Sequence, residues 1–338
     1  MNLYVVKSLN TDVYENIALE FSMFKEAERQ FKDEKKQCAI LFLWTNDKTI
    51  VLGRNQNVYI ECNLDYCSKN GIRISRRLTG GGAVYHDKGN LNYTFISSSD
   101  IYNIKNNYKI IQKALLNLGV ESELSGRNDL TAQERKFSGS AFYNSKYASM
   151  HHGTLLINSI SEDISKALTP DINKLKSKGV DSVRSRIINL SEINKEIDSK
   201  KISKEIIKVF EEKYGTENIE YLPKFSQEEF EHNIKLLKSD KWIFNEKFES
   251  NIELKNRFEW GNITIQMKIE GKTVQDIEIF SDTLYYDIPL KLKKSLINQS
   301  LEKNNIELIF RKLLNTTTSA KRNKAYIDIQ MLISKIAY

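Results

Sequence analysis

Cysteine is scarce. The three in 338 residues, Cys38, Cys62 and Cys67, make no paired framework and no Cys-x-x-Cys spacing. A disulfide scaffold is excluded, and reduced thiols in a reducing compartment are expected. Histidine numbers four, with none near Cys62 or Cys67, so a structural zinc there is not expected. His151 and His152 are adjacent in a strand-like run, where neighbours point to opposite faces and cannot ligate one metal. No apolar run approaches membrane-spanning length, and Met1–Lys7 lacks the basic start and long apolar stretch of a signal peptide. The expected location is the cytoplasm. A P-loop is also missing: no Lys-Ser or Lys-Thr follows the one glycine run, and the residues after it read as strand rather than helix.

What is present is ordinary for a globular chain, at 40% hydrophobic and 28% charged residues. The length favours two domains. Lysine and arginine exceed aspartate and glutamate by 51 to 44, a formal charge of +7. The lysines are scattered among acids without an aromatic-and-basic recognition pattern, and an acidic protein partner or a nucleotide substrate explains the excess as well as nucleic acid does.

The organising stretch is Arg76-Arg77-Leu78-Thr79-Gly80-Gly81-Gly82-Ala83-Val84-Tyr85-His86-Asp87, a strand, a turn and another strand. Three glycines remove every Cβ from the turn, so backbone N–H groups can approach an anion closely. The two arginines carry forks suited to phosphate or carboxylate. Taken alone, the glycine run favours an ordinary hairpin loop with solvated arginines, since short glycine motifs often match by chance.

Elsewhere, Met1–Leu9 reads as a strand, and Asp12 with Glu15 at capping-box distance opens a helix with Ile17, Phe21, Phe24 and Phe31 near helical spacing. Cys38–Trp44 and Thr49–Gly53, divided by Asn46-Asp47, are expected to form a hairpin, and Gly53–Asn57 a loop near a cleft. Leu91, Tyr93 and Phe95 alternate with Asn92, Thr94 and Ile96, which predicts a strand with one face on the core. A helix over Asn107–Leu118 is closed by Gly119. Lys136 stands between small residues and phenylalanines, where its ammonium would be partly desolvated; a surface lysine in a hairpin is the alternative. Lys174–Arg186 is basic with small residues, suiting a loop over phosphates or a solvated linker. A boundary is expected near Asn245–Ser250, then a small antiparallel sheet with a turn at Glu270-Gly271, then helices to Tyr338.

The order and spacing of five blocks carry a resemblance. Arg76–Asp87, Gly126–Leu130, Lys136–Ala141, His151–Leu156 and Ser177–Arg186 together closely resemble the lipoate-protein ligases, and the length and Phe258-Glu259-Trp260-Gly261 resemble that family's large form. The resemblance implies an α+β fold akin to biotin-protein ligases and class II tRNA synthetase cores. A mixed β-sheet flanked by helices would form a catalytic domain over 1–245, with a small C-terminal α+β accessory domain over 250–338. It implies that lipoate, or octanoate, and ATP give an acyl-adenylate and pyrophosphate, after which a lysine of a carrier domain attacks the mixed anhydride. The carriers would be the E2 subunits of 2-oxoacid dehydrogenases and the glycine-cleavage H protein.

Carried onto this chain, the resemblance gives Lys136 the catalytic role. It places the adenylate on Arg77, Gly82, Ala83, Val84, Tyr85, Asn128, Asp129, Lys136, Lys178 and Arg184. Lipoate falls to Arg76, Gly80, Gly81, Gly82, Lys136 and His152, with Mg2+ on Asp129. Val84, Tyr85 and Phe137 are also suited to line a slot for the dithiolane. A transferase that moves a preformed lipoyl or octanoyl group without ATP is the alternative; related transferases use a cysteine, and no cysteine here falls in these blocks.

Overall fold

The computed structural model describes residues 1–169, 186–215, 219–245 and 248–338. These divide into two compact units: one formed by Met1–Val51, Tyr59–Arg76 and Ala83–Ile243, the other by Leu52–Val58, Arg77–Gly82 and Phe244–Tyr338.

The strands of the first unit are β1 (Asn2–Lys7), β2 (Cys38–Trp44), β3 (Thr49–Leu52), β4 (Arg73–Arg76), β5 (Val84–His86), β6 (Asn90–Ser98), β7 (Glu123–Ser125), β8 (Asp129–Ala132), β9 (Arg135–Asn144), β10 (Ala148–Leu156) and β11 (Ile219–Glu220). Among the described residues, eight of them form one mixed sheet in the order β11-β1-β2-β6-β10-β9-β8-β7. β1 runs parallel to β11 and β2, and the remaining pairs are antiparallel. All seven residues of β2 are buried, as expected of a strand covered on both faces.

β6 departs from the one-faced strand its alternation predicts, because all nine of its residues are buried. One face packs with the helices Ile104–Asn117 and Ser199–Tyr214 through Tyr93, Phe95, Tyr108, Ile111, Ile202 and Phe210. The other is covered by the helix Val13–Asp33 through Val13, Ile17 and Phe24 against Phe42, Ile96 and Met150. Asp12 caps that helix, accepting the N–H groups of Tyr14 and Glu15 at 2.9 and 3.2 Å.

The expected hairpin of Cys38–Trp44 with Thr49–Gly53 does not form. β2 lies between β1 and β6, whereas β3 is the middle strand of a second sheet, β4-β3-β5. The Asn46-Asp47 turn is tied away from the first sheet: Asn46 accepts from Asn16 Nδ2 at 3.0 Å and lies 3.0 Å from His86 Nδ1, and Asp47 N–H donates to Thr11. The glycine run therefore joins the two outer strands of a three-stranded sheet and is no hairpin loop.

In the second unit, β12 (Ile252–Phe258), β13 (Gly261–Glu270) and β14 (Thr273–Ser281) form an antiparallel meander turning at Gly271, whose φ is +60°. The helices Asp287–Leu296, Lys303–Leu314 and Ala320–Ile333 share its core. Trp260 is anchored there, its indole N–H donating to Asp328 at 3.0 Å. No described helix is long and apolar enough to cross a membrane.

Candidate active site

Register brings three of the five sequence blocks, Gly126–Leu130, Lys136–Ala141 and His151–Leu156, together on the eight-stranded sheet. Cross-strand partners share a face, so Asp129 lies beside Gly139 and Thr154 beside Asn92, which in turn neighbours Trp44. Gly139 N–H donates to Thr154 Oγ1 at 3.2 Å, joining the two halves of this row. A second row places Ala141 beside His152, and His152 beside Thr94. Gly139, Ala141, Thr94 and Thr154 make a floor of small residues between Lys136 and Asp129 on one side and Trp44 on the other.

Lys136 reaches back over this floor. Its Nζ is 2.9 Å from Asp129 Oδ1, with the side chains 40% and 29% exposed. A Cβ at Gly139 would stand 2.9 Å from Nζ and 3.1 Å from Cε, so a side chain there would make the flexible end of the lysine shift. The lysine is thus half-buried and ion-paired. Asn128 is spent on the strand, its Nδ2 donating to the Ser140 carbonyl while its own carbonyl accepts Ser140 N–H.

His152 closes the face from beneath helix Val13–Asp33. Its Nδ1 lies 2.9 Å from Glu20 Oε1, which also accepts the Thr94 hydroxyl at 2.6 Å, and Thr94 accepts the Trp44 indole N–H at 3.0 Å. A carboxylate oxygen accepts, so Nδ1 carries the hydrogen and the ring is held in one tautomer. His151 points to the opposite face, among Tyr93, Phe95, Tyr108 and Phe142 at ring distances of 5.5, 6.1, 4.7 and 5.0 Å. Neither of its ring nitrogens has a hydrogen-bond partner among the described residues, and burial, with His152 nearby, pushes its pKa down to about 3.

The glycine turn belongs to the second unit, and its glycines answer different needs. Gly80 is a packing residue: a Cβ would meet the Thr283 carbonyl oxygen at 2.2 Å. Gly81 has φ +91° and donates its N–H to Thr283 at 2.9 Å. A Cβ on Gly82 would meet nothing within 4 Å. Arg77 folds onto its own turn, donating to Thr79 Oγ1 at 2.9 Å and to the carbonyls of Gly80 and Gly82 at 2.7 and 2.8 Å.

Other predicted site residues are placed as follows. Arg76 is buried and donates to the carbonyls of Trp242 and Ile243 at 2.8 and 2.5 Å, while the Trp242 indole donates back to Arg76. Tyr85 is buried with its hydroxyl on Asp163 at 3.1 Å, and burial followed by that carboxylate raises its pKa. Ala83 and Val84 are partly buried. Phe137 is in the core. Lys178 and Arg184, like most of the basic loop, lie outside the described residues. All three cysteines are buried; burial pushes the thiols of Cys38 and Cys62 up to about 12. No cluster of three metal-ligating side chains occurs among the described residues.

Sequence reasoning missed Glu20, Trp44, Thr94 and Thr154. Glu20 had a signal, since it falls between Ile17 and Phe24 on the apolar stripe of its helix, a position where a carboxylate needs partners. Thr94 and Thr154 had none, because threonine is an ordinary strand residue.

Two family models match the chain: the lipoyl protein ligase A/B catalytic domain over residues 12–211 and the bacterial lipoate protein ligase C-terminus over residues 247–329. A relative named Lipoate-protein ligase A from Psychrobacter cryohalolentis is 36% identical over 322 residues, covering 93% of each chain. A relative of the same name from Bdellovibrio bacteriovorus is 38% identical over 265 residues, covering 76% of this chain and 78% of its own. Among solved structures, P. falciparum LipL1 in complex with lipoate matches with a TM-score of 0.85 and 30% identity over 99% of this chain and 100% of its own.

Proposed function

The chain belongs to the lipoate-protein ligase family, and from that premise we propose that it joins lipoate, or octanoate, to a lysine of a carrier domain at the expense of ATP. The carboxylate attacks the α-phosphorus and pyrophosphate leaves. The lysine amine then attacks the acyl carbonyl, a C–N bond forms, and AMP departs with the loss of one amine proton.

The observation that carries this reading is Lys136, its ammonium held over Gly139 at 2.9 Å from Asp129 and half-exposed on the face that also carries His152. A carboxylate meeting a triphosphate sets anion against anion, and a positioned cation at the forming bond lowers that repulsion, typically by a few kcal/mol. In the second step the same ammonium stabilises charge on the acyl carbonyl. His152, fixed by Glu20, serves as a hydrogen-bonding group toward the acyl carbonyl. Asp129 is a single half-exposed carboxylate, a donor set that suits Mg2+ when phosphate oxygens complete the shell; the ion would neutralise triphosphate charge. The catalytic domain is assigned to 1–245 and the accessory domain to 250–338, supported by family matches that end at 211 and begin at 247.

Acceptors are assigned as lipoyl carrier domains of E2 subunits and the H protein. Carriers acidic around the target lysine would be steered by the charge of +7, more strongly at low salt. Buried free thiols suit a reducing compartment, in keeping with the cytoplasm. They also weigh against a thioester transferase, since a buried protonated thiol is a poor nucleophile.

The test is lipoate-dependent exchange of pyrophosphate into ATP. The protein should catalyse it, and Lys136→Ala should lower the rate by roughly 10²-fold or more. Undiminished exchange in that variant removes the role of Lys136. Transfer at full rate from an octanoyl carrier without ATP would favour the transferase instead.

A further inference from the structure

Strand β9 begins without β10 beside it. Their paired ladder extends only to Gly153 opposite Ser140. At Lys136, where β8 holds one edge through Thr131, the other edge is taken by Ile187, paired parallel. Ile188 N–H donates to the Lys136 carbonyl at 2.9 Å. Two segments of chain therefore share one edge of β9, and the lysine stands where the second has replaced the first.

One side chain closes the seam between them. Asn189 Oδ1 accepts Ser159 N–H at 2.9 Å, and Asn189 Nδ2 donates to the Ser159 carbonyl at 3.1 Å. The amide thus bonds the continuation of β10 as a neighbouring strand would. Each partner is fixed in turn. The buried Asp87 accepts the Ser159 hydroxyl and the Ile160 N–H, both at 2.9 Å. Glu192 Oε1 accepts Asn189 N–H at 2.9 Å, and its Oε2 lies 3.8 Å from Arg135, the residue before the lysine.

We propose that Asn189 is a positioning residue for Lys136, holding Ile187 and Ile188 against the lysine's backbone so that the ammonium stays on the reacting face. The proposal rests on the role given above to Lys136. A misplacement of about 1 Å is enough to cost on the order of 10²-fold in rate, and neither bond of Asn189 involves a reacting atom.

The experiment is a double-mutant cycle read by single-turnover acyl-adenylate formation with ATP, Mg2+ and lipoate. Asn189→Ala in the otherwise natural chain is expected to lower the rate at least tenfold, with lipoate affinity and unfolding midpoint little changed. In the Lys136→Arg background, where the reacting group is already misplaced, the same change is expected to cost less than threefold. An equal loss in both backgrounds, or no loss in a folded Asn189→Ala protein, overturns the proposal. Should Asn189→Ala not fold, Asn189→Asp, which keeps the acceptor for Ser159 N–H and loses the donor, is taken through the same two backgrounds against the same outcomes. If Lys136→Arg itself keeps the natural rate, the assignment of Lys136 fails, and the proposal built on it fails for that separate reason.

Discussion

The two faces of strand β10 differ by one residue in sequence and by almost everything in chemistry. His151 faces aromatic rings and has no hydrogen bond among the described residues, whereas His152 is held by a buried carboxylate that also binds Thr94. One face is a core that tolerates an imidazole. The other spends a carboxylate, a hydroxyl and an indole N–H to orient one. Burying such groups is unfavourable unless each is bonded, so a chain that assembles them on one face uses the arrangement for something other than packing. The polar network beside the small-residue floor is what sets this face apart from the other.

This contrast is broken most severely at Glu20. Replacing it by leucine leaves Thr94 and His152 without their shared acceptor, and a loss of about 3–5 kcal/mol in unfolding free energy is expected by denaturant titration. A loss under about 1 kcal/mol would show that the network is slack. Next comes the pair of phenylalanine substitutions. His152→Phe should lower acyl-adenylate formation by roughly 10²-fold, while His151→Phe, a like-shaped apolar ring among aromatic rings, should leave the rate within about twofold and the stability equal or slightly higher. Equal rate losses in the two variants would erase the distinction between the faces. A third contrast lies in the glycine turn. Gly80→Ala drives a Cβ into the Thr283 carbonyl oxygen at 2.2 Å, and Gly82→Ala meets nothing within 4 Å. The first should destabilise by about 1–3 kcal/mol and the second by less than about 0.5, as thermal unfolding of both variants would reveal.

Much of the fold was legible, for physical reasons. The helix from Val13 had a cap and an apolar stripe, and the opposed histidines followed from strand geometry alone. The meander at Gly271 had turn chemistry. What failed was pairing: Cys38–Trp44 and Thr49–Gly53 look like hairpin arms, but the buried amides of Asn16 and Asn46 carry the chain into a second sheet, a long-range tie that no local pattern announces. The burial of both faces of β6 was hidden for a similar reason, since Asn92 and Thr94 read as solvent-facing until helix Val13–Asp33 lies across them. Of the site, the block order pointed to Lys136, Asp129 and His152, which the sheet sets on one face. Glu20, which holds His152, acts through a contact 132 residues away in sequence.

The last contrast is the one most specific to the comparison, because it turns on the proton of His151. Burial, with His152 adding to it, holds its folded pKa near 3, against 6.5 for an exposed imidazole. Below pH 6.5 the unfolded chain binds a proton at this residue that the folded chain refuses until about pH 3. The unfolded state therefore carries more protons in that window, and stability falls as the pH is lowered through it. The slope from this one group approaches about 1 kcal/mol per pH unit. Phenylalanine at position 151 has no proton to bind, so the gap in unfolding free energy between His151→Phe and the natural chain should widen steadily from pH 6.5 to pH 4.5 and be flat above pH 7.5. Parallel stability curves for the two proteins across that range would mean that His151 accepts its proton in the folded state, and that its face is more polar than the ring packing indicates.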